Sequence, residues 1–107
     1  MSPAHVMIMT TAPSRETAEA LAEALLAQRL AACVQLAAVE SRYVWEGRAC
    51  AEPEVLLLIK TRAALWSEIE AALSTLHPYA TPELIATPIL FGSAAFLAWI
   101  DARTAGG

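Results

Sequence analysis

Apolar residues recur along the chain with two different periods. The segment HVMIMT, residues 5–10, is an apolar run typical of a β-strand, and the turn-forming residues TAPS close it. From Ser14, a suitable N-cap, to about Gln28, apolar side chains recur every three or four residues, which predicts an amphipathic helix. The stripe of this helix comprises Ala18, Leu21, Ala22, Leu25 and Leu26.

The next segment, CVQLAAVESRYVWEG, predicts a long strand that leads into a hairpin. Its apolar residues alternate in two phases, because Val34 and Leu36 occupy even positions whereas Tyr43 and Trp45 occupy odd ones. A period-two pattern changes phase only when a residue is inserted. We therefore expect a bulge or bend near residues 37 and 38.

Gly47 supplies the turn of this hairpin, and the chain then returns through EVLLLIKT. A turn at Glu46 and Gly47 places residue 50 opposite residue 43, and residue 33 opposite residue 60. The two cysteines, Cys33 and Cys50, then lie too far apart for a disulfide. We expect two free thiols in a reducing compartment.

The return strand contains the uninterrupted apolar run VLLLI, residues 55–59. A strand that lies between helices and water should alternate, and this one does not, so both of its faces are predicted to be buried. Beyond it, a second helix is predicted from about Arg62 to Leu76, with its apolar stripe at Leu65, Ile69, Ala72 and Leu76.

The last part of the chain predicts a fourth strand and a short helix. The strand is LIATPIL, ended by Pro88 and Gly92, and the helix is AAFLAWIDART, with Phe96, Trp99 and Ile100 on one side. The order βαββαβ plus a terminal helix is the ferredoxin-like arrangement of the α+β class, in one domain over residues 1–107.

This arrangement leaves one sheet face open, which conflicts with the apolar run at residues 55–59 in a soluble monomer. Large exposed apolar patches mark interaction surfaces. We therefore predict an oligomer whose sheets pack against one another. A homotrimer is a natural closed form, in which the long hairpin reaches a neighbour's strand edge.

Composition excludes several classes of protein. The chain is 57% hydrophobic and 17% charged, without an apolar run of the ~20 residues that span a bilayer or a signal peptide, so we expect a soluble cytoplasmic domain and no membrane contact. The net charge is −4 and the basic residues are scattered singly, which argues against nucleic acid. No glycine-rich phosphate loop, GxSxG or HExxH motif is present, so the prediction is a protein that is not an enzyme.

Three groups of residues are candidates for chemistry. The stretch HPYATPE carries His77, Tyr79 and Glu83 before the fourth strand; fully extended, it would separate His77 from Glu83 by ~20 Å, so a chelate within one chain needs a turn. Tyr43 and Trp45 share a face near the hairpin tip, whereas Lys60 lies near its base, so they could meet only across an oligomer interface. His5, Met7 and Met9 share a face of strand one, where core packing is favoured over copper binding.

Six blocks of the sequence carry a family resemblance. TTAPS, LAACVQ, YVWEG, EVLLLIKT, HPYATPEL and LAWI occur in the order and at the spacings typical of the CutA-type divalent-cation tolerance proteins. The chain resembles this family from about Val6 to Ile100. The resemblance implies a ferredoxin-like fold assembled as a very stable homotrimer. It also implies a role in tolerance to divalent metals, copper above all.

The resemblance also bears on metal ligands. In the best-known members of the family that this chain resembles, copper is ligated by a cysteine just before the TAP segment and by the histidine of the HP motif, which here matches His77. Thr10 stands where the cysteine would be, and Leu76 where a second histidine can occur, so we expect only weak binding of copper or another divalent cation. The predicted cleft lies between subunits, is lined by Tyr43, Trp45, Lys60, His77, Tyr79 and Glu83, and takes a divalent cation or a small anion. The alternative is a PII-like signalling or scaffold trimer that binds a small effector or a protein partner.

Overall fold

A computed structural model describes residues 3–106. The chain forms one four-stranded sheet and three helices, with the elements β1 (His5–Ala12), α1 (Arg15–Ala27), β2 (Cys33–Trp45), β3 (Arg48–Arg62), a 3₁₀ turn (Ala63–Leu65), α2 (Trp66–Leu76), β4 (Ile85–Pro88) and α3 (Ala94–Arg103). The strand order is β2-β3-β1-β4, with all neighbours antiparallel. This confirms the predicted ferredoxin-like α+β fold. Within residues 3–106, no helix combines the length and apolar character needed to cross a membrane.

Helix α1 begins and ends close to where the sequence predicts. The Ser14 side chain accepts a hydrogen bond from the Thr17 backbone N–H at 3.1 Å, which satisfies one of the free donors of the first turn. The helix buries Ala18, Leu21, Ala22 and Leu25 against the sheet. Leu26, also predicted in the stripe, is 44% exposed.

The hairpin register agrees with the prediction, but the predicted bulge is wrong. Tyr43 pairs with Cys50 and Cys33 with Lys60, and the pairing runs without interruption from the base to Trp45 and Arg48. The phase change has another cause. Val34 and Leu36 pack on the core under the helices, whereas the outer half of the hairpin turns its aromatic residues toward the opposite face. Both cysteines are free.

The two-residue turn between β2 and β3 requires backbone in the left-handed region. Glu46 has φ of 50° and Gly47 has φ of 77°. Two consecutive residues with positive φ are typical of the type I′ turn, whose twist matches that of the flanking strands. Glycine adopts this conformation freely, whereas Glu46 holds it at a cost.

Strand β3 is buried unevenly. Val55, Leu57 and Ile59 are at most 9% exposed beneath α1 and α2, whereas Leu56 and Leu58 on the other face are only partly buried in the single chain. Full burial of both faces, as predicted, therefore requires another subunit that covers Leu56 and Leu58. The apolar stripe of α2 also differs from the prediction, since Leu73 is buried and Leu76 is 45% exposed.

Helix α3 covers one end of the sheet face opposite α1 and α2. Its Asp101 carboxylate is 2.8 Å from His5 Nε2, and Thr104 accepts a hydrogen bond from Arg62 Nε at 2.9 Å. The Lys60 ammonium lies 5.8 Å from the centre of the Phe96 ring. The other end of this face remains available for the loop that follows α2.

Candidate functional site

The outer half of the β2–β3 hairpin presents polar and aromatic side chains on the sheet face opposite α1 and α2. Residues that are paired in an antiparallel register share a face, and every second residue of a strand returns to it. Ser41 therefore lies beside Glu52, and Tyr43 and Trp45 continue the row toward the turn. Glu54 starts the row nearer the middle of the sheet.

The loop after α2 is fixed to the sheet by His77. Its side chain is only 8% exposed, and its ring Nε2–H donates to the Thr11 backbone carbonyl at 2.7 Å. The Nδ1 atom accepts the backbone N–H of Tyr79 at 3.2 Å. These two partners assign the neutral tautomer with the proton on Nε2. Both nitrogens are thus engaged within the chain.

Tyr79 then connects this loop to the hairpin. Its hydroxyl donates a hydrogen bond to Glu54 Oε2 at 2.7 Å. Burial raises the pKa of Tyr79 well above its ordinary value, and the bond to the Glu54 carboxylate raises it further. Burial acts to raise the pKa of Glu54 as well, but the hydroxyls of Ser41, Tyr79 and Thr11 outweigh it, and the pKa falls below its ordinary value. The carboxylate is therefore held ionised.

Between the hairpin and the loop lies a cavity of about 670 Å³, within the range of small-molecule sites. Four residues that the sequence singled out line it: Tyr43, Trp45, Tyr79 and Glu83. The other polar residues of the lining were not predicted from the sequence. They are Thr11, Ser41, Arg42, Glu52, Glu54 and Thr81. The hairpin register could have placed Ser41, Glu52 and Glu54 on the same face as Tyr43, since it follows from the turn.

The cavity is acidic. Glu52, Glu54 and Glu83 contribute three carboxylates. Arg42 also lines the cavity, but its position in the register directs its side chain to the other face of the sheet. The Arg42 Nε atom lies 2.7 Å from Glu40 Oε2 on the exposed strand edge, so its charge is already paired. The Tyr43 pKa is raised, by partial burial first and by the neighbouring Glu52 second, which agrees with a negative environment. The charges that this chain places around the cavity are therefore mainly negative.

Two predicted site residues lie outside the cavity lining. Lys60 lies at the base of the hairpin beside α3, as the register predicted, so it belongs to a cleft only if another subunit provides the second wall. His77 lies behind the loop, and its role as a metal ligand stays a prediction. Within residues 3–106, no three His, Cys, Asp or Glu side chains lie close enough together to hold a metal ion.

Comparison with known proteins identifies the family and supports the fold. The family described as CutA1 divalent ion tolerance protein matches residues 6–103. The divalent-cation tolerance protein CutA of Archaeoglobus fulgidus is 41% identical over 97 residues, which is 91% of this chain and 95% of that protein. A crystal structure of CutA1 from Shewanella sp. SIB1 superposes with a TM-score of 0.94 at 40% identity, covering 98% of this chain and 99% of that one. A structure described as the periplasmic CutA of A. fulgidus gives a TM-score of 0.91 at 40% identity, covering 92% and 97%. The chain therefore belongs to the CutA1 family of divalent-cation tolerance proteins.

Proposed function

We propose that the protein acts in divalent-cation tolerance as a homotrimer that binds cations weakly at the acidic cavity. The observation that carries this proposal is the set of three carboxylates, Glu52, Glu54 and Glu83, on the walls of one cavity. Oxygen ligands of this kind suit hard divalent cations, and copper also accepts them, though less readily than nitrogen or sulfur. Binding is weak because the part of one chain that the structure describes brings no full set of metal ligands together.

His77 is a secondary candidate in this proposal. A metal at Nδ1 would have to displace the Tyr79 N–H, and a metal at Nε2 would have to displace the proton that bonds the Thr11 carbonyl. Either change releases the loop that forms one wall of the cavity. We therefore assign the cation to the carboxylates and keep His77 as a ligand to be tested separately.

Calorimetric titration with Cu(II) and Zn(II) tests the assignment. We expect Glu52→Gln to reduce the heat of binding, because it removes one charge and leaves the side-chain volume unchanged. Glu23→Gln, on the exposed side of α1, is the matched control and should bind like the wild type. His77→Ala removes both hydrogen bonds that fix the loop carrying Glu83, so it should weaken binding as well, and Glu52→Gln is the deciding variant. Loss of binding in His77→Ala with no change in Glu52→Gln would refute the carboxylate assignment.

The trimer is supported by large exposed apolar residues in two parts of the chain. Ile85 on β4 is 51% exposed, and Leu90 and Phe91 just after β4 are 75% and 93% exposed. On α3, Phe96 and Trp99 are also exposed and stack on each other. Exposed apolar side chains of this size are typical of interaction surfaces, and β4 is an edge strand of the sheet. Light scattering should give the mass of three chains for the wild type and a smaller mass for Phe91→Asp. A monomeric wild type at micromolar concentration would contradict the proposal.

We also propose that the protein is not an enzyme and is cytoplasmic. Within the described part of the chain, the cavity lining contains no histidine, cysteine or lysine, which are common nucleophiles and general bases in enzymes. The free thiols of Cys33 and Cys50 are typical of a reducing compartment. Cell fractionation tests the location, and recovery in a periplasmic or organelle fraction would contradict it.

A further inference from the structure

We propose that the preferred ligand of the acidic cavity is an organic ammonium ion, with bare metal ions as weaker competitors. This inference rests on the proposed function, because it uses the same cavity and the same carboxylates. It goes further by naming the chemical class that the walls recognise. The cavity combines dispersed negative charge with three aromatic residues, of which Tyr43 and Trp45 lie toward the hairpin tip. The negative charge favours a cationic ligand, and the rings favour a ligand with an organic surface.

The carboxylates are spread along the hairpin rather than gathered at one point. Glu52 and Glu54 are two residues apart on one strand, so their Cα atoms are roughly 7 Å apart. Glu54 already accepts the Tyr79 hydroxyl with one oxygen, and Glu83 comes from the loop on the opposite wall. A metal ion needs its ligands within about 2.6 Å, whereas an ammonium group on a carbon chain can satisfy carboxylates one at a time.

The aromatic residues extend the acidic row toward the hairpin tip. Tyr43 and Trp45 follow Ser41 on the same face, and their side chains are 41% and 55% exposed within the chain. An ammonium group over a tryptophan or tyrosine ring is attracted by the negative face of the ring, and organic ammonium ions are suited to this contact because they shed water more easily than metal ions. The row of two carboxylates and two rings is elongated, which suits a chain with an ammonium group at each end.

A matched pair of ligands provides the test. Calorimetry with 1,4-diaminobutane and its uncharged analogue 1,4-butanediol separates charge recognition from simple cavity filling. We expect saturable binding of the diamine, weakened by added salt, and little or no binding of the diol. Glu52→Gln and Trp45→Leu should each weaken diamine binding about fivefold. Glu23→Gln should leave it unchanged.

A Zn(II) titration of the same variants separates this inference from the proposed function. If Zn(II) binds and Glu52→Gln weakens it, but the diamine neither binds nor competes, the ammonium inference is refuted and the cation site stands. If neither the diamine nor Zn(II) binds, both are refuted. Equal binding of diamine and diol, or an effect of Glu23→Gln as large as that of Glu52→Gln, would also overturn the inference. Competition by the diamine for bound Zn(II), lost in Glu52→Gln, would support it.

Discussion

Substitution of Thr10 tests how much a buried hydroxyl without a hydrogen-bond partner lowers the stability of the core. Thr10 is 0% exposed on the sheet face that packs against the helices, and within residues 3–106 its Oγ1 atom has no hydrogen-bond partner. A buried hydroxyl without a partner costs about 1–3 kcal/mol. Valine has the same shape with a methyl group in place of the hydroxyl and suits a strand well. We therefore expect Thr10→Val to raise the free energy of unfolding by about 1–2 kcal/mol.

Thr61 is the matched control for this substitution. It is also 0% exposed on the same sheet face, but its hydroxyl donates a hydrogen bond to the Leu30 carbonyl at 2.6 Å. Thr61→Val leaves that carbonyl without its side-chain partner, so we expect a loss of about 1–2 kcal/mol. The same chemical change should thus have opposite signs at two sites of equal burial. Burial alone would predict equal effects.

Equilibrium unfolding in guanidinium chloride at one fixed chain concentration measures both variants, since an oligomer's stability depends on concentration. In thermal unfolding, the expected shift for Thr10→Val is about 4–9 °C for a chain of this length. A loss of stability in Thr10→Val as large as that in Thr61→Val would refute the reasoning, because it would show that the Thr10 hydroxyl has a bonding partner in solution. Thr10→Cys should also gain stability, since cysteine behaves as a small apolar residue.

Three further predictions concern the loop and the hairpin. His77→Phe keeps an aromatic side chain but removes both hydrogen bonds of the imidazole, so it should lower the free energy of unfolding by about 2 kcal/mol. It should also speed hydrogen exchange at the Tyr79 amide, and unchanged exchange would refute the role of His77 in fixing the loop. Glu46→Asn should stabilise the hairpin by about 0.5–1 kcal/mol, measured by denaturant unfolding, because asparagine tolerates positive φ; a destabilised variant would contradict the type I′ turn. Because the pKa of Tyr79 is raised in the folded state, its contribution to stability is complete below pH 10 and declines as pH rises above that value. Ultraviolet titration should therefore show that Tyr43 and Tyr79 ionise at higher pH than free tyrosine. Ionisation of Tyr79 near pH 10 would contradict its bond to Glu54.

Local sequence patterns were sufficient to predict much of the fold. A two-residue turn at Glu46 and Gly47 determines every pair of the hairpin by counting, and the observed register follows it. Ser14 determines the start of α1 in the same local way, because its side chain caps the first turn. The single sheet, the helix number and the element order follow from alternating and helical periodicities, which depend only on neighbouring residues.

The errors arise where burial depends on distant elements. The two-phase pattern of β2 predicts a bulge, but the strand is regular, and the phase changes because the helices cover only its base. In α2, Leu73 and Leu76 both fall at helical spacing from Ile69, and only the orientation of the helix on the sheet selects Leu73 for burial. Periodicity identifies a face, whereas packing decides how far it extends.

Only part of the candidate site could be predicted from the sequence, because some of its contacts also depend on distant elements. The register alone places Glu52 beside Ser41 and on the face of Tyr43, so part of the acidic wall was implicit in the hairpin. The contact between Tyr79 and Glu54 joins residues 25 positions apart and depends on how the loop turns after α2. Pro78 holds the preceding residue in extended backbone, and His77 accordingly has ψ of 134°. From that position the imidazole points back to Thr11 while Tyr79 points forward to the hairpin, so His77 fixes the loop that forms one wall of the acidic cavity.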